Sequence, residues 1–154
     1  MKKFFLFIIL FIIPFNSFAL ITVDITRGNL NPLPVAVSPI SSSEKTRLLL
    51  EKELKIKDLG SEISIIVENN LKTTGLFNPL NKDAFLQKED IAHLKPRFED
   101  WSLIKAQALI TGKVELNEQK LRVEFRLWDV LAGKEIMALA FTTVPNNWRR
   151  VGHI

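Results

Sequence analysis

The sequence predicts an α+β domain: a mixed or antiparallel sheet ending in a C-terminal three-strand meander, covered by helices on one face. Three observations predict it. Apolar and polar residues alternate with period two in three successive runs between Ala106 and Val144, joined by short turns. Apolar residues recur at helical spacing from Leu59 to Leu71, which gives one face to bury. The 154-residue chain is 47% hydrophobic and has no cysteine, so its stability must come from packing rather than disulfides.

The amino terminus reads as an export signal. Lys2 and Lys3 form a short positive region, Phe4 to Phe15 is an apolar run broken by Pro14, and Ser17-Phe18-Ala19 offers small residues where a signal peptidase reads. Cleavage is expected between Ala19 and Leu20, making 1–19 a signal peptide. The apolar run is shorter than the roughly 20 residues a spanning helix needs, so no integral membrane segment is expected after its removal. An uncleaved anchor is the alternative, and the flanking residues fit it less well. Without Lys2 and Lys3 the formal charge of +4 falls to +2, 19 basic against 17 acidic residues. That balance gives no reason to expect an acidic polymer as partner.

Along the remaining 135 residues, Leu20 to Arg27 alternates, with Ile21, Val23 and Ile25 on one side and Thr22, Asp24 and Thr26 on the other, the pattern of a strand. Gly28-Asn29 and Asn31-Pro32 punctuate a loop. Val35-Ala36-Val37, between Pro34 and Pro39, reads as a short buried strand. In Ser41–Lys57, Ser41 with Glu44 forms a capping-box pattern, and Glu51–Lys55 and Glu53–Lys57 have favourable i,i+4 spacing. This stretch is densely charged and reads as a solvated helix or a partly mobile loop, with a partner-binding helix as the alternative.

Asp58 is placed to cap the Leu59–Leu71 helix, Gly75 to end it in a left-handed conformation, and Leu76 to fold back on its last turn. Leu76 to Leu80 reads as a short extended piece stopped by Pro79. Asn81 can cap a further turn through Ala84, Phe85 and Leu86, Ile91 to Pro96 reads as connection, and Glu99 to Lys105 as a short helix carrying Trp101. The three alternating runs follow, turning at Asn117–Lys120 and around Gly133, and their apolar face needs a cover that the Leu59–Leu71 helix can supply. Asn147 can cap a last helix that opens with Trp148-Arg149-Arg150-Val151. At about two turns that helix is marginal alone, so the chain is expected to be a fragment of a longer protein, with 20–144 as its domain and 145–154 as the start of a truncated helix.

No constellation for chemistry emerges. There is no G-x-S-x-G, H-E-x-x-H, P-loop, G-x-G-x-x-G or Cys/His metal pattern, and no cofactor or metal is expected. His93 and His153 each lack a second ligand at helical spacing. Glu99-Asp100 suits the start of a helix, where acids complement the dipole. Arg122, Arg126, Arg149 and Arg150 near Trp128 and Trp148 would suit single-stranded nucleic acid, but Glu124 interrupts them and no basic stripe dominates, so nucleic acid is not an expected partner. The three tryptophans read as seals at the edges of the core.

Several segments resemble the amino-terminal domain of the TolB family of the Tol–Pal system. They are Ile25-Thr26-Arg27-Gly28, the proline-bounded Val35-Ala36-Val37, Thr74-Gly75-Leu76-Phe77, Phe125-Arg126-Leu127-Trp128-Asp129-Val130 followed by Gly133, and Trp148-Arg149-Arg150 with His153-Ile154. They run in the family's order across nearly all of the mature chain. Ser41–Lys57 departs from the resemblance in being longer. The resemblance implies a periplasmic, non-enzymatic protein-interaction module supporting outer-membrane integrity and cell division. It implies a β-propeller following the α/β domain, absent from this chain, that docks the lipoprotein Pal. It also implies that the mature amino-terminal segment engages TolA, a role that carries over to Leu20, Ile21, Thr22, Val23, Asp24, Ile25, Thr26 and Arg27. A terminal alternating segment can dock on its own domain or add to a partner's sheet edge, and a plain structural edge strand is the competing reading of the same residues. The competing function is a small exported α+β domain that binds a ligand or peptide outside the Tol–Pal system.

Overall fold

In the computed structural model, residues 31–88 and 96–153 are described, and all belong to one compact unit. The expected strand at Leu20–Arg27, the cleavage site at Ala19–Leu20, all of the Ile91–Pro96 connection but Pro96, and His93 lie outside the described residues. Six strands form one mixed sheet: β1 (Leu33–Val37), β2 (Ser41–Ser42), β3 (Phe77–Pro79), β4 (Ala108–Asn117), β5 (Lys120–Asp129) and β6 (Lys134–Thr143). The order is β3-β1-β4-β5-β6, with β2 beside β4. Pairing is parallel for β3, β1, β2 and β4, and antiparallel through the β4-β5-β6 meander.

Two prolines fall where their missing N–H groups do little harm. Pro34 precedes the first β1–β4 pair, Val35 with Ala108, and its carbonyl accepts from Gln107 N at 3.0 Å. Pro39 sits in the break where β1 gives way to β2, so the ladder loses no donor there. The break lets Ser41 Oγ donate to the Gly112 carbonyl at 3.1 Å. Ser41 is therefore a strand residue and not the expected helix cap. Helix α1 (Glu44–Leu54) is capped by Ser43, whose side chain accepts from Thr46 N at 3.2 Å. Lys55 leaves the helix at φ 60°, so Glu51 pairs back with Arg47 at 3.7 Å rather than forward with Lys55. The stretch is an ordered helix with one buried side, on which Leu50 is 1% exposed.

Helix α2 (Leu59–Thr73) forms as its spacing predicts. Asp58 accepts from Ser61 N at 3.2 Å, and Gly75 follows the helix at φ 71°. Leu76 does not fold back: it is half-exposed, and its carbonyl joins the sheet by accepting from Leu33 N. Of the described glycines, Gly60 has the tightest surroundings, because a Cβ there would stand 1.9 Å from the Ile40 carbonyl oxygen. Asn81 accepts from Asp83 N and starts a 3-10 turn at Lys82–Ala84.

Helix α3 (Phe98–Leu103) carries Trp101, and a 3-10 turn at Pro145–Asn147 runs into helix α4 (Trp148–Gly152). Asn147 makes no side-chain cap. The preceding turn serves instead, since the Pro145 carbonyl accepts from Trp148 N.

One sheet face packs under α1, α2 and α4. Ile40, Leu50, Leu59, Ile63, Val114, Leu121 and Val123 meet Trp148 and Val151 there, and Val35, Val37 and Ala108 continue the layer toward Val67 and Leu71. Each fully buried aliphatic side chain contributes about 1.5–3 kcal/mol by leaving water. The opposite face has a smaller cover: Trp101, Ala106, Trp128 and Val130 pack on Ala36 and Leu109, with Phe85 and Phe98 set edge-on to Trp101 and Trp128. Both indole N–H groups are satisfied, by Gln87 Oε1 at 3.0 Å and Thr111 Oγ1 at 2.9 Å.

Candidate functional site

The groups considered for chemistry are held in structural roles. Asp100 sits in the first turn of α3 and accepts from Arg97 Nε at 2.7 Å. Arg122 is paired with Glu124 at 2.7 Å, Arg126 with Glu135 at 2.8 Å, and Arg149 lies over the Trp148 ring at 4.8 Å. The two arginines on the sheet, Arg122 and Arg126, are thus each offset by a carboxylate of the same sheet. His153 Nδ1 lies 3.3 Å from Asn70 Nδ2 at the end of α4. Among the described residues no group of His, Cys, Asp or Glu could hold a metal ion, and no helix is long and apolar enough to cross a membrane. One surface pair, Glu44 with Arg47, has shifted acidity. The hydrogen bond from Arg47 holds the Glu44 carboxyl below its ordinary value, and the same bond raises Arg47.

What the fold leaves open is apolar. Strand β6 is exposed along nearly its whole length, with Ile136, Met137 and Leu139 each 44–52% accessible. The third of the expected alternating runs, Glu135–Val144, falls on this strand. Within it Ile136 to Phe141 is unbroken apolar sequence, so side chains of both faces are carbon-rich, and among the described residues β6 has a neighbouring strand on one side only. That unbroken run was the available signal, since strands with one wet face ordinarily alternate.

Beneath β6 lies a groove of about 220 Å³. Phe125 and Leu127 of β5 and Met137, Leu139 and Phe141 of β6 form its floor and outer side, with the Phe125 and Phe141 rings edge-on at 6.1 Å. Val67 and Leu71 of α2 form the inner wall, and Val151 of α4 closes one end. Helix α2 is consequently well covered in its first half, where Leu59 and Ile63 are buried, and only half-covered beyond Ile66. Two contacts tie α4 to α2 at this point. Asn70 Nδ2 donates to the Gly152 carbonyl at 2.8 Å, and Gly152 lies so close to Ile66 that a Cβ would stand 2.8 Å from its Cγ2. An apolar groove beside an open strand suits another polypeptide better than a reaction, because it offers no convergent titratable groups.

Comparison with known proteins gives this arrangement a context. The family model for the TolB amino-terminal domain matches residues 21–136. A Tol-Pal system protein TolB from Pelagibacter ubique (strain HTCC1062) is 73% identical over 150 residues, which is 97% of this chain and 34% of the relative. The chain therefore spans about a third of that relative's length. Among solved structures, TolB from Acinetobacter baumannii superposes with a TM-score of 0.58 at 16% identity, over 79% of this chain and 26% of that one. The LpoB C-terminal domain from Escherichia coli superposes with a TM-score of 0.51 at 12% identity, over 76% and 86%. At such identities the structural likeness establishes a shared fold.

Proposed function

Because the chain belongs to the TolB amino-terminal domain family, we propose that it is a periplasmic component of the Tol–Pal cell-envelope system, acting through protein contacts rather than catalysis. The observation that carries this reading is the 73% identity maintained over 150 residues with a Tol-Pal system protein. Export by a signal peptide cleaved between Ala19 and Leu20 fits the same reading. In it, Leu20–Arg27 is the segment that engages TolA, and Pal docks on the part of the longer relatives that lies beyond the match. Maintenance of outer-membrane integrity, a role in cell division and support of protein import belong to the same reading.

The physical basis for the TolA contact is the alternation of Ile21, Val23 and Ile25 with Thr22, Asp24 and Thr26. Such a segment can supply a strand to a partner's sheet edge, main-chain hydrogen bonds giving affinity and alternate side chains giving specificity. The test is calorimetric titration of the TolA periplasmic domain with the chain beginning at Leu20 and with a version beginning at Gly28. Binding by the first and loss of binding by the second is the expected result. Equal affinity for both removes Leu20–Arg27 from the interface, and no binding by either removes TolA as this chain's partner.

A further inference from the structure

We propose that the free edge of β6 pairs with β6 of a second copy of this chain, antiparallel and centred on Leu139, joining two sheets into one. The state of that edge is the first argument. An open strand edge is a template for another strand unless shortness, proline or charge defends it. The sheet's other outer strand, β3, is three residues long and ends in Pro79, which has no N–H to offer. β6 is ten residues long, contains no proline, and carries no charge from Ile136 to Thr143. A register shift beside Leu127 and Trp128 disturbs its first residues, and Met137 to Thr143 then pair with β5 without a break. Among the described residues, no strand lies along the other side of that regular ladder.

Self-complementarity selects the occupant. In an antiparallel pair of identical strands about a two-fold axis, opposed residues point to the same face, so their numbers differ by an even amount. With the axis at Leu139, Met137 stands opposite Phe141, Leu139 opposite its own copy, and Ala138 opposite Ala140. Met137, Leu139 and Phe141 share the groove side, so the large side chains meet there. Ala138 and Ala140 meet on the other side, near Arg122 and Arg126, and leave only small side chains at the seam.

The placement of charge fixes the same centre. Lys134 and Glu135 fall at the two ends of the pairing, opposite Val144 and Thr143 of the copy, so like charges do not meet. An axis at Ala138 would instead set Glu135 against Phe141.

The chain contains no cysteine, so the register can be read directly. In the exported chain, oxidation should link Leu139→Cys into a disulfide dimer, because opposed residues of an antiparallel pair have Cα atoms about 4.5–5.5 Å apart. Ala138→Cys and Ala140→Cys, each out of step with its own copy, should link at least about ten-fold less when alone and should link to each other when mixed. Sedimentation of the unsubstituted chain should show a monomer–dimer equilibrium. Ala138→Lys, which brings a charge to the seam, should weaken that equilibrium at least about ten-fold with its unfolding midpoint unchanged. Equal linking at all three positions, or an equally strong dimer with Ala138→Lys, overturns the proposal. A monomer at every concentration up to about 1 mM also does so, and leaves the edge to a strand of another protein. Should Ala138→Lys fold poorly, the cysteine pattern decides alone. None of these readouts involves TolA, so failure of the partner assignment leaves them intact.

Discussion

Strands β4 and β6 are each ten residues long and rich in apolar side chains, yet they live in different environments. Leu109 of β4 is 0% exposed and Leu139 of β6 is 44% exposed. The difference lies in what surrounds each strand. β4 has β1 and β2 on one side, β5 on the other, and packed layers above and below. Among the described residues, β6 has one neighbouring strand and a groove beneath it. Apolar content marks a residue as suited to burial, and only the arrangement of other elements decides whether burial happens.

The most direct way to break this comparison is to shorten the two leucines. Leu109→Ala should cost about 2–5 kcal/mol, because it leaves a cavity in a fully packed layer. Leu139→Ala should cost less than about 1 kcal/mol, the span typical of exposed strand positions. Urea unfolding of both variants reads the difference, and equal costs would mean that β6 is covered in solution. A somewhat smaller effect is expected at Gly60, where α2 crosses beneath the β1–β2 break. Gly60→Ala pushes a methyl group into the Ile40 carbonyl and should destabilise by about 1–3 kcal/mol, the range of core overpacking. Its thermal midpoint should fall well below that of Gly75→Ala, which meets strain at φ 71° but no neighbouring atom within 4 Å.

The hairpin joining β4 to β5 offers a change of opposite sign. Glu118 and Gln119 both have positive φ, 46° and 69°, the geometry of a turn that favours Asn-Gly. Replacing the pair by Asn-Gly should stabilise by about 1 kcal/mol through relief of left-handed strain, seen as a raised unfolding midpoint. The smallest effect belongs to Glu44. Its folded-state acidity is strengthened by Arg47, so the contribution is present above the unfolded-state pKa and is lost as pH falls through the lower folded value. The difference in thermal midpoint between the parent and Glu44→Gln should therefore shrink on acidification, and a difference that grows instead would reverse the assignment.

Much of the architecture was legible in the residues. Alternation marked β5 because Leu121 and Val123 face the packed layer while Arg122 and Glu124 do not, and Asp58, Gly75 and Asn81 marked helix and turn boundaries because each does a local backbone job. Ser41 misled because the pattern Ser-x-x-Glu recurs by chance where several serines adjoin, and tertiary pairing with Gly112 claimed that hydroxyl. The cover on the opposite face was hidden because Trp101, Phe85 and Trp128 come from separate segments with no shared period. At the candidate site, the unbroken run Ile136–Phe141 was visible, but exposure is a property of neighbours and no local pattern encodes it. The segment Leu20–Arg27 was legible only as a strand pattern, which two different pairings would satisfy equally.

The place of β1 has a consequence for the order of assembly. The first described strand of the chain ends up inside the sheet, between β3 and β4, so Val35 must wait for both Pro79 and Ala108 to be available. The β4-β5-β6 meander needs only its own short turns, and loop closure over such distances is quick. During synthesis from the amino end, this strand meets β3 only after about forty further residues are made, and its other edge stays unpaired until the chain has grown through Ile110.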